Sequence, residues 1–216
     1  MSTAKNFHAL GFIPAGLRFI EGSRTNVFAQ KNNKTVAETL THHRYQRLTT
    51  ETEARYPTSL NKKLGIFLSI LKASGDPFYL RFLNRYGDGT YCTFTLVERV
   101  MKKGLYVYVV GEQIKYVGKT IRTFKRRIDE YGTIRPKNCY LDGQSTNCHL
   151  NTLVSQHQDN IKLYLCPMTI DADIAGAESN MIRAQDPEWN IALRLGWLIG
   201  MLGGAYMRAL QERWVD

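Results

Sequence analysis

Five residues of this chain combine a reactive type with an informative setting: Tyr106, Tyr116, Lys119, Arg127 and Glu178. As a set they suit metal-assisted hydrolysis of a phosphodiester. That reaction needs a deprotonated water, a Lewis acid on the scissile phosphate, and a group that neutralises charge on the phosphorane and the leaving group. Glu178 is the one strong candidate metal ligand, and a single carboxylate with waters and phosphate oxygens is a common way to hold Mg²⁺. The shortage of carboxylates predicts a single site for Mg²⁺ or Mn²⁺. Arg127 can fork onto a non-bridging phosphate oxygen, where a planar bidentate donor does more than a point charge. Either tyrosine is a candidate to activate the water. A phenol near its usual pKa of ~10 is a poor base at neutral pH, so positive charge must lie nearby to lower it. Lys119 and the metal would supply that charge.

The elements that must position these groups can be read from local patterns. Gly104-Leu-Tyr-Val-Tyr-Val-Val110 is aromatic and β-branched and reads as a strand. Gly111-Glu112 supplies a turn, and Gln113 to Val117 returns as a second strand, setting Tyr106 opposite or nearly opposite Tyr116. Thr123 suits the N-cap of a helix from Phe124 to about Tyr131, on which Phe124, Arg127, Ile128 and Tyr131 share one face. Residues 132–152 read as a loop insertion, and Ile161 to Leu165 as a third strand. A further helix, from about Ile174 to Ala184, ends before Asp186-Pro187. Its apolar stripe of Ile174, Ala177, Met181 and Ile182 contains Glu178. Charged groups on apolar faces are costly unless paired or metal-bound, so Arg127 and Glu178 mark candidate functional positions. The plain alternatives stay open: a buried Arg127–Glu178 ion pair, and tyrosines that are ordinary cross-strand neighbours. Upstream, Leu60 to Ala73 reads as an amphipathic helix, and Phe78 to Phe82 and Tyr91 to Phe94 as strands around a Gly87-Asp88-Gly89 turn.

Five elements in order carry a family resemblance. Gly104-Leu105-Tyr106, then Tyr116-Val117-Gly118, resembles the paired signature of the GIY-YIG nuclease superfamily. Arg127 with Tyr131 four residues on, the helix Ala177-Glu178-x-x-Met181-Ile182 before Pro187, and Asn190 within Trp189-Asn190-Ile191-Ala192 follow in the matching order. Tyr116-Val-Gly-Lys119 is similar to the incision subunit of bacterial excision repair, and His149 stands where phage homing nucleases of the group also carry a histidine. The resemblance covers residues 104–192, roughly 40% of the chain. It implies an α+β fold: a small three-stranded antiparallel sheet flanked by helices, with N-terminal and C-terminal elaborations. It implies catalytic roles for Tyr106, Tyr116, Lys119, Arg127, Tyr131, His149, Glu178 and Asn190. Tyr106 is preferred as the base, and Asn190 is expected to bond the site or hold a tyrosine in place. The core of such enzymes supplies hydrolysis and little sequence discrimination. Recognition then falls to residues 1–103, with 104–192 as the catalytic core and 193–216 as a packing or dimerisation helix. A small chain elaborated around its core resembles a type II restriction endonuclease most closely. A structure-specific repair or recombination nuclease and a degenerate DNA-binding core are the alternatives. The restriction reading implies double-stranded DNA as partner, a homodimer or sequential nicking by a monomer, and a companion DNA methyltransferase.

Composition agrees with a polyanionic partner. The 216 residues hold 29 Lys+Arg against 19 Asp+Glu, a net charge of +10. Residues 1–100 carry +7, residues 101–170 carry +6 and residues 171–216 carry −3. One basic window contains Lys115, Arg122, Lys125, Arg126, Arg135 and Lys137, and His43, Arg44 and Arg47 form a second cluster. Both are read as phosphate-contacting surfaces, whose binding would weaken with salt. Four scattered cysteines without a C-x-x-C exclude a disulfide framework and a zinc ribbon. A zinc site from Cys139, Cys148, His149 and His157 fits no standard spacing. The segment Ile191 to Met207 carries Arg194 and four glycines and falls short of a membrane span, so the sequence predicts a soluble, cytoplasmic protein.

Overall fold

The structure, a computed structural model, describes residues 10–31 and 34–191. In chain order its elements are β1 (Ile13–Ala15), β2 (Leu17–Arg24), α1 (Val36–Leu40), α2 (Thr49–Arg55), α3 (Leu64–Ala73), β3 (Tyr91–Leu96), β4 (Lys103–Val110), β5 (Gln113–Thr120), α4 (Phe124–Tyr131), α5 (Pro136–Cys139), α6 (Ser145–Gln156), β6 (Ile161–Met168) and α7 (Asp171–Gln185). They form two compact units, each drawn from separated segments. Among the described residues, the first takes 10–16, 98–124 and 160–191, and the second takes 17–31, 34–97 and 125–159. The contacts therefore do not follow the expected boundary at residue 103, because 125–159 groups with the N-terminal half. The expected packing or dimerisation helix at 193–216 lies outside the described residues.

The first unit is a four-stranded antiparallel sheet in the order β1-β6-β4-β5, covered by α7. The α+β class is as expected, with one strand more than the three-stranded expectation. The added strand, β1, pairs Pro14 with Tyr164 on β6, and three residues were too short to stand out in an irregular N-terminal stretch. Strand β4 is hydrogen-bonded on both sides, which explains its unbroken aromatic and β-branched run. On one face Leu105, Val107, Val109 and Val117 close against Ile174 and Ile182 of α7. Gly104 has φ +143°, a conformation an L side chain rarely adopts, and a Cβ there would strike the Cys166 carbonyl of β6. The first glycine of the motif is thus what lets β4 lie flush against β6.

The second unit surrounds the β2–β3 pair with short helices over a core that includes Phe28, Phe67, Phe82 and Tyr91. Two sequence expectations change here. Phe78 to Phe82, expected as a strand, is a 3₁₀ helix over Pro77–Phe82, started by Pro77 and by Asp76, whose side chain accepts from the Phe78 N–H at 2.9 Å. Residues 132–152, expected as a loop, contain α5 and most of α6. The pattern was hidden because α6 buries two asparagines along with its apolar residues. One of them, Asn151, takes the Cys92 N–H on its amide oxygen and donates to the Cys92 and Tyr131 carbonyls, at 2.9, 2.9 and 2.7 Å.

Candidate functional site

Four consecutive residues of β5 organise the first unit's candidate site. Tyr116 faces the other tyrosines, Val117 is clamped by Asn190, Gly118 underlies Tyr106, and Lys119 pairs with Glu178. The hairpin register sets Tyr106 and Tyr116 nearly opposite, one diagonal step apart. Tyr106 lies opposite Gly118, and Tyr108 lies opposite Tyr116, with an irregularity in the ladder between Tyr108 and Val109. The motif tyrosines are still neighbours: their ring centroids are 6.2 Å apart and inclined by 29°. Tyr108 completes an aromatic triangle at 6.3 Å from Tyr106 and 6.2 Å from Tyr116. The sequence reading passed over Tyr108, although the alternation Tyr106-x-Tyr108 places both on one face of a strand.

Gly118 explains how Tyr106 reaches β5. A Cβ at this position would press into the Tyr106 phenol, 2.5 Å from its Oη and 2.6 Å from Cε2. The phenol therefore crosses from β4 and lies over the backbone of β5, and any side chain at Gly118 would push it away.

Lys119 and Glu178 meet on the opposite face, the one covered by α7. Lys119 Nζ stands 2.8 Å from Glu178 Oε2, and the glutamate side chain is only 15% exposed. Lys119 is thus one partner of the carboxylate that breaks the apolar stripe of α7, which is how a charge on that face is sustained. Because β5 is the outer strand, the tyrosine face and the Lys119–Glu178 face meet at its free edge. The turn after α7 covers that edge: Trp189 N–H donates to the Lys115 carbonyl at 2.9 Å. The Val117 N–H donates to Asn190 Oδ1 at 2.8 Å, and Asn190 Nδ2 donates to the Val117 carbonyl at 2.7 Å. Asn190 accordingly pins the backbone of the strand between Tyr116 and Gly118. Its replacement by alanine would leave both Val117 groups without these partners and costs about 1–3 kcal/mol. The expected result for Asn190→Ala is a lower unfolding midpoint in urea with m unchanged.

The donor set fits a metal held with few protein ligands. Glu178 is a carboxylate within a largely apolar helical face, while among the described residues no three His, Cys, Asp or Glu side chains gather to hold an ion. One carboxylate with water and substrate oxygens suits Mg²⁺ or Mn²⁺ and does not suit zinc.

Most of the remaining expected residues belong to the second unit. Arg127 stacks over the Tyr131 ring, its Cζ 4.3 Å from the centroid, and contacts Glu130 at 3.5 Å. The spacing of four that marked Arg127 and Tyr131 in the sequence is thus a cation–π pair on one helix face. His149 lies on α6 with its ring 4.4 Å from that of Tyr86. Among the basic residues, Lys125 donates to Thr95 Oγ1 and Asp129 at 2.5 and 2.6 Å, and Lys115, in the first unit, pairs with Glu188 at 2.7 Å. These contacts tie both lysines to their own units. Arg126, Arg122, Arg135, Lys137, His43, Arg44 and Arg47 are exposed. Arg44 spends one donor on the Leu141 carbonyl at 3.1 Å, and Arg126 reaches Glu130 at 3.3 Å.

No protein-family model, no curated protein and no solved structure matches the chain. Among the described residues no helix is long and apolar enough to cross a membrane.

Proposed function

We propose that the chain is a metal-dependent endonuclease of GIY-YIG type that hydrolyses phosphodiester bonds of double-stranded DNA, sequence-specifically in the manner of type II restriction. The observation that carries this reading is the convergence on β5, where Tyr116 to Lys119 meet Tyr106, Asn190 and Glu178 at four successive positions. A structural tyrosine pair has no need of a glycine beneath one ring, and a strand edge has no need of a buried carboxylate beside it.

In this reading Tyr106 Oη takes a proton from the attacking water. Lys119 holds Glu178 in place through their ion pair. Glu178 would hold a divalent cation, which when bound would supply Lewis acidity at the scissile phosphate. Asn190 keeps β5 from shifting beneath Tyr106. Arg127 is assigned the phosphate charge by the order of the motif alone. Tyr131 would steady it through the stacking described above, and His149 is left in its packing role against Tyr86. The same reading carries a cytoplasmic location, a homodimer or successive nicks, and a companion methyltransferase that protects host DNA.

Incubating the protein with plasmid DNA and Mg²⁺, and sequencing the ends, tests the reading. Discrete fragments with one common terminal sequence are the expected result, and intact plasmid with Mg²⁺ and with Mn²⁺ would overturn it. Cleavage confined to branched substrates would favour the repair alternative. Arg126, whose partner Glu130 is on the same exposed helix surface, is expected to contact backbone phosphate. Arg126→Ala should weaken binding to all sequences alike and lower the salt slope of log K by about 1.

A further inference from the structure

The second unit contains a cleft of about 470 Å³ that the hydrolytic reading does not use. Lys31, Lys34, Arg135 and Lys137 bring four permanent positive charges to its lining, against a single carboxylate, Asp142. Its apolar part comes from Leu64, Tyr45 and Tyr140, all nearly or wholly buried.

Both walls are fixed to the core. On one side the Leu64 N–H donates to the Lys34 carbonyl at 3.0 Å, and Thr35 bridges Lys63, which ties Lys34 to the start of α3. On the other side Asn84 Nδ2 donates to the Asn138 and Tyr140 carbonyls at 2.7 and 3.2 Å, and the Leu141 N–H donates to the Phe82 carbonyl at 2.9 Å. At the base Tyr45 donates its hydroxyl to Asp142 Oδ1 at 2.5 Å. Burial first, and Asp142 second, push the Tyr45 phenol far above its usual range, so this hydroxyl remains a donor.

We propose that this cleft is a nucleotide-binding site, separate from the hydrolytic centre and going beyond the nuclease reading. Its volume is within the ~300–1,000 Å³ of small-molecule pockets. Four cationic side chains share one concavity, and a phosphate is the group that Arg135 and the lysines match. A phosphate alone would leave Pro136, a half-buried apolar residue of the lining, uncovered, whereas a base presents an apolar face of suitable shape. Asp142 is ill placed for a simple anion site. It suits a base instead, because a carboxylate accepts from an exocyclic amino group. The ligand chemistry is therefore a nucleoside monophosphate whose base carries an amino group, either free or displaced from a DNA strand.

Titration calorimetry of the full chain in EDTA, with dGMP, dTMP and inorganic phosphate, separates this site from cleavage. The expected order is dGMP tightest, with dTMP weaker and inorganic phosphate at least tenfold weaker than dGMP. Lys34→Ala/Arg135→Ala and Lys31→Ala/Lys137→Ala, two pairs that alter only exposed side chains, should each weaken dGMP at least tenfold. Glu178→Gln should bind dGMP as the wild type does, so loss of cleavage and loss of this site are read independently. Phosphate binding as tightly as dGMP, or unchanged dGMP affinity in both double variants, would overturn the proposal. A duplex containing 2-aminopurine distinguishes the sources. Brightening on binding that is lost in the double variants identifies a strand nucleotide, and dGMP binding with an unchanged duplex signal identifies free nucleotide.

Discussion

Glu178→Gln is expected to lower the DNA cleavage rate by roughly 10³-fold or more while the dissociation constant for DNA in EDTA changes less than about threefold. The substitution keeps the shape of the side chain and its capacity to accept from Lys119, so α7 stays seated on β4 and β5. It removes the charge that would hold the cation. The Lys119–Glu178 separation of 2.8 Å at a largely buried site means that the neutral amide also leaves Lys119 without its counter-ion. A modest loss of stability should accompany the loss of rate. The measurement is single-turnover cleavage of a plasmid across a Mg²⁺ titration, with a thermal melt of the same preparation. Wild-type rate at saturating Mg²⁺ in a folded Glu178→Gln protein would remove Glu178 from the chemistry.

The second large effect is expected at a residue with no side chain. In Gly118→Ala the new methyl group occupies space now filled by the Tyr106 ring, and the phenol must retreat by roughly 1 Å before the contact becomes ordinary. Tyr106 is 1% exposed, so the ring can move only by displacing packed neighbours, at a cost of about 1–3 kcal/mol. A misplacement of about 1 Å at a reacting group costs on the order of 10²-fold in rate. Gly118→Ala should therefore reduce kcat about a hundredfold and leave KM for DNA nearly unchanged. A double-mutant cycle separates this from simple destabilisation. If the methyl group acts only through the phenol, Gly118→Ala adds no rate loss to Tyr106→Phe. Independent, multiplicative losses would show that the glycine serves the fold alone.

The parts of the molecule that were legible in the sequence are those where one residue type has one physical use. The β4–β5 hairpin, α4 and α7 were placed within a few residues, because β-branched alternation, the Gly111 turn and helical spacing act locally. Glu178 stood out because a carboxylate inside an apolar stripe demands a partner, although the partner found is Lys119, sixty positions away, and no spacing rule names it. Tyr106 and Tyr116 were legible as opposite or nearly opposite, and which of the two holds depends on an irregularity near Val109 that leaves no residue signature. Asn190 and Asn151 were opaque in their actual work. Each clamps the N–H and carbonyl of one strand residue, Val117 and Cys92 respectively, and a buried asparagine reads in sequence like any polar turn residue. Lys31 and Lys34 were missed as lining of the cleft because their companions Arg135 and Lys137 are a hundred positions further on.

The way the two units divide the chain orders their completion during synthesis. Every described residue of the second unit has been translated once Asp159 is added. The first unit then holds only its β4–β5 hairpin, the short β1 and the segments beside them. Its sheet waits for β6, which must insert between β1 and β4 and pair with both. Glu178 and Asn190 follow later still. A chain that ends between Asp159 and Glu178 thus contains every lining residue of the cleft and lacks the carboxylate, so truncation separates the two proposed sites.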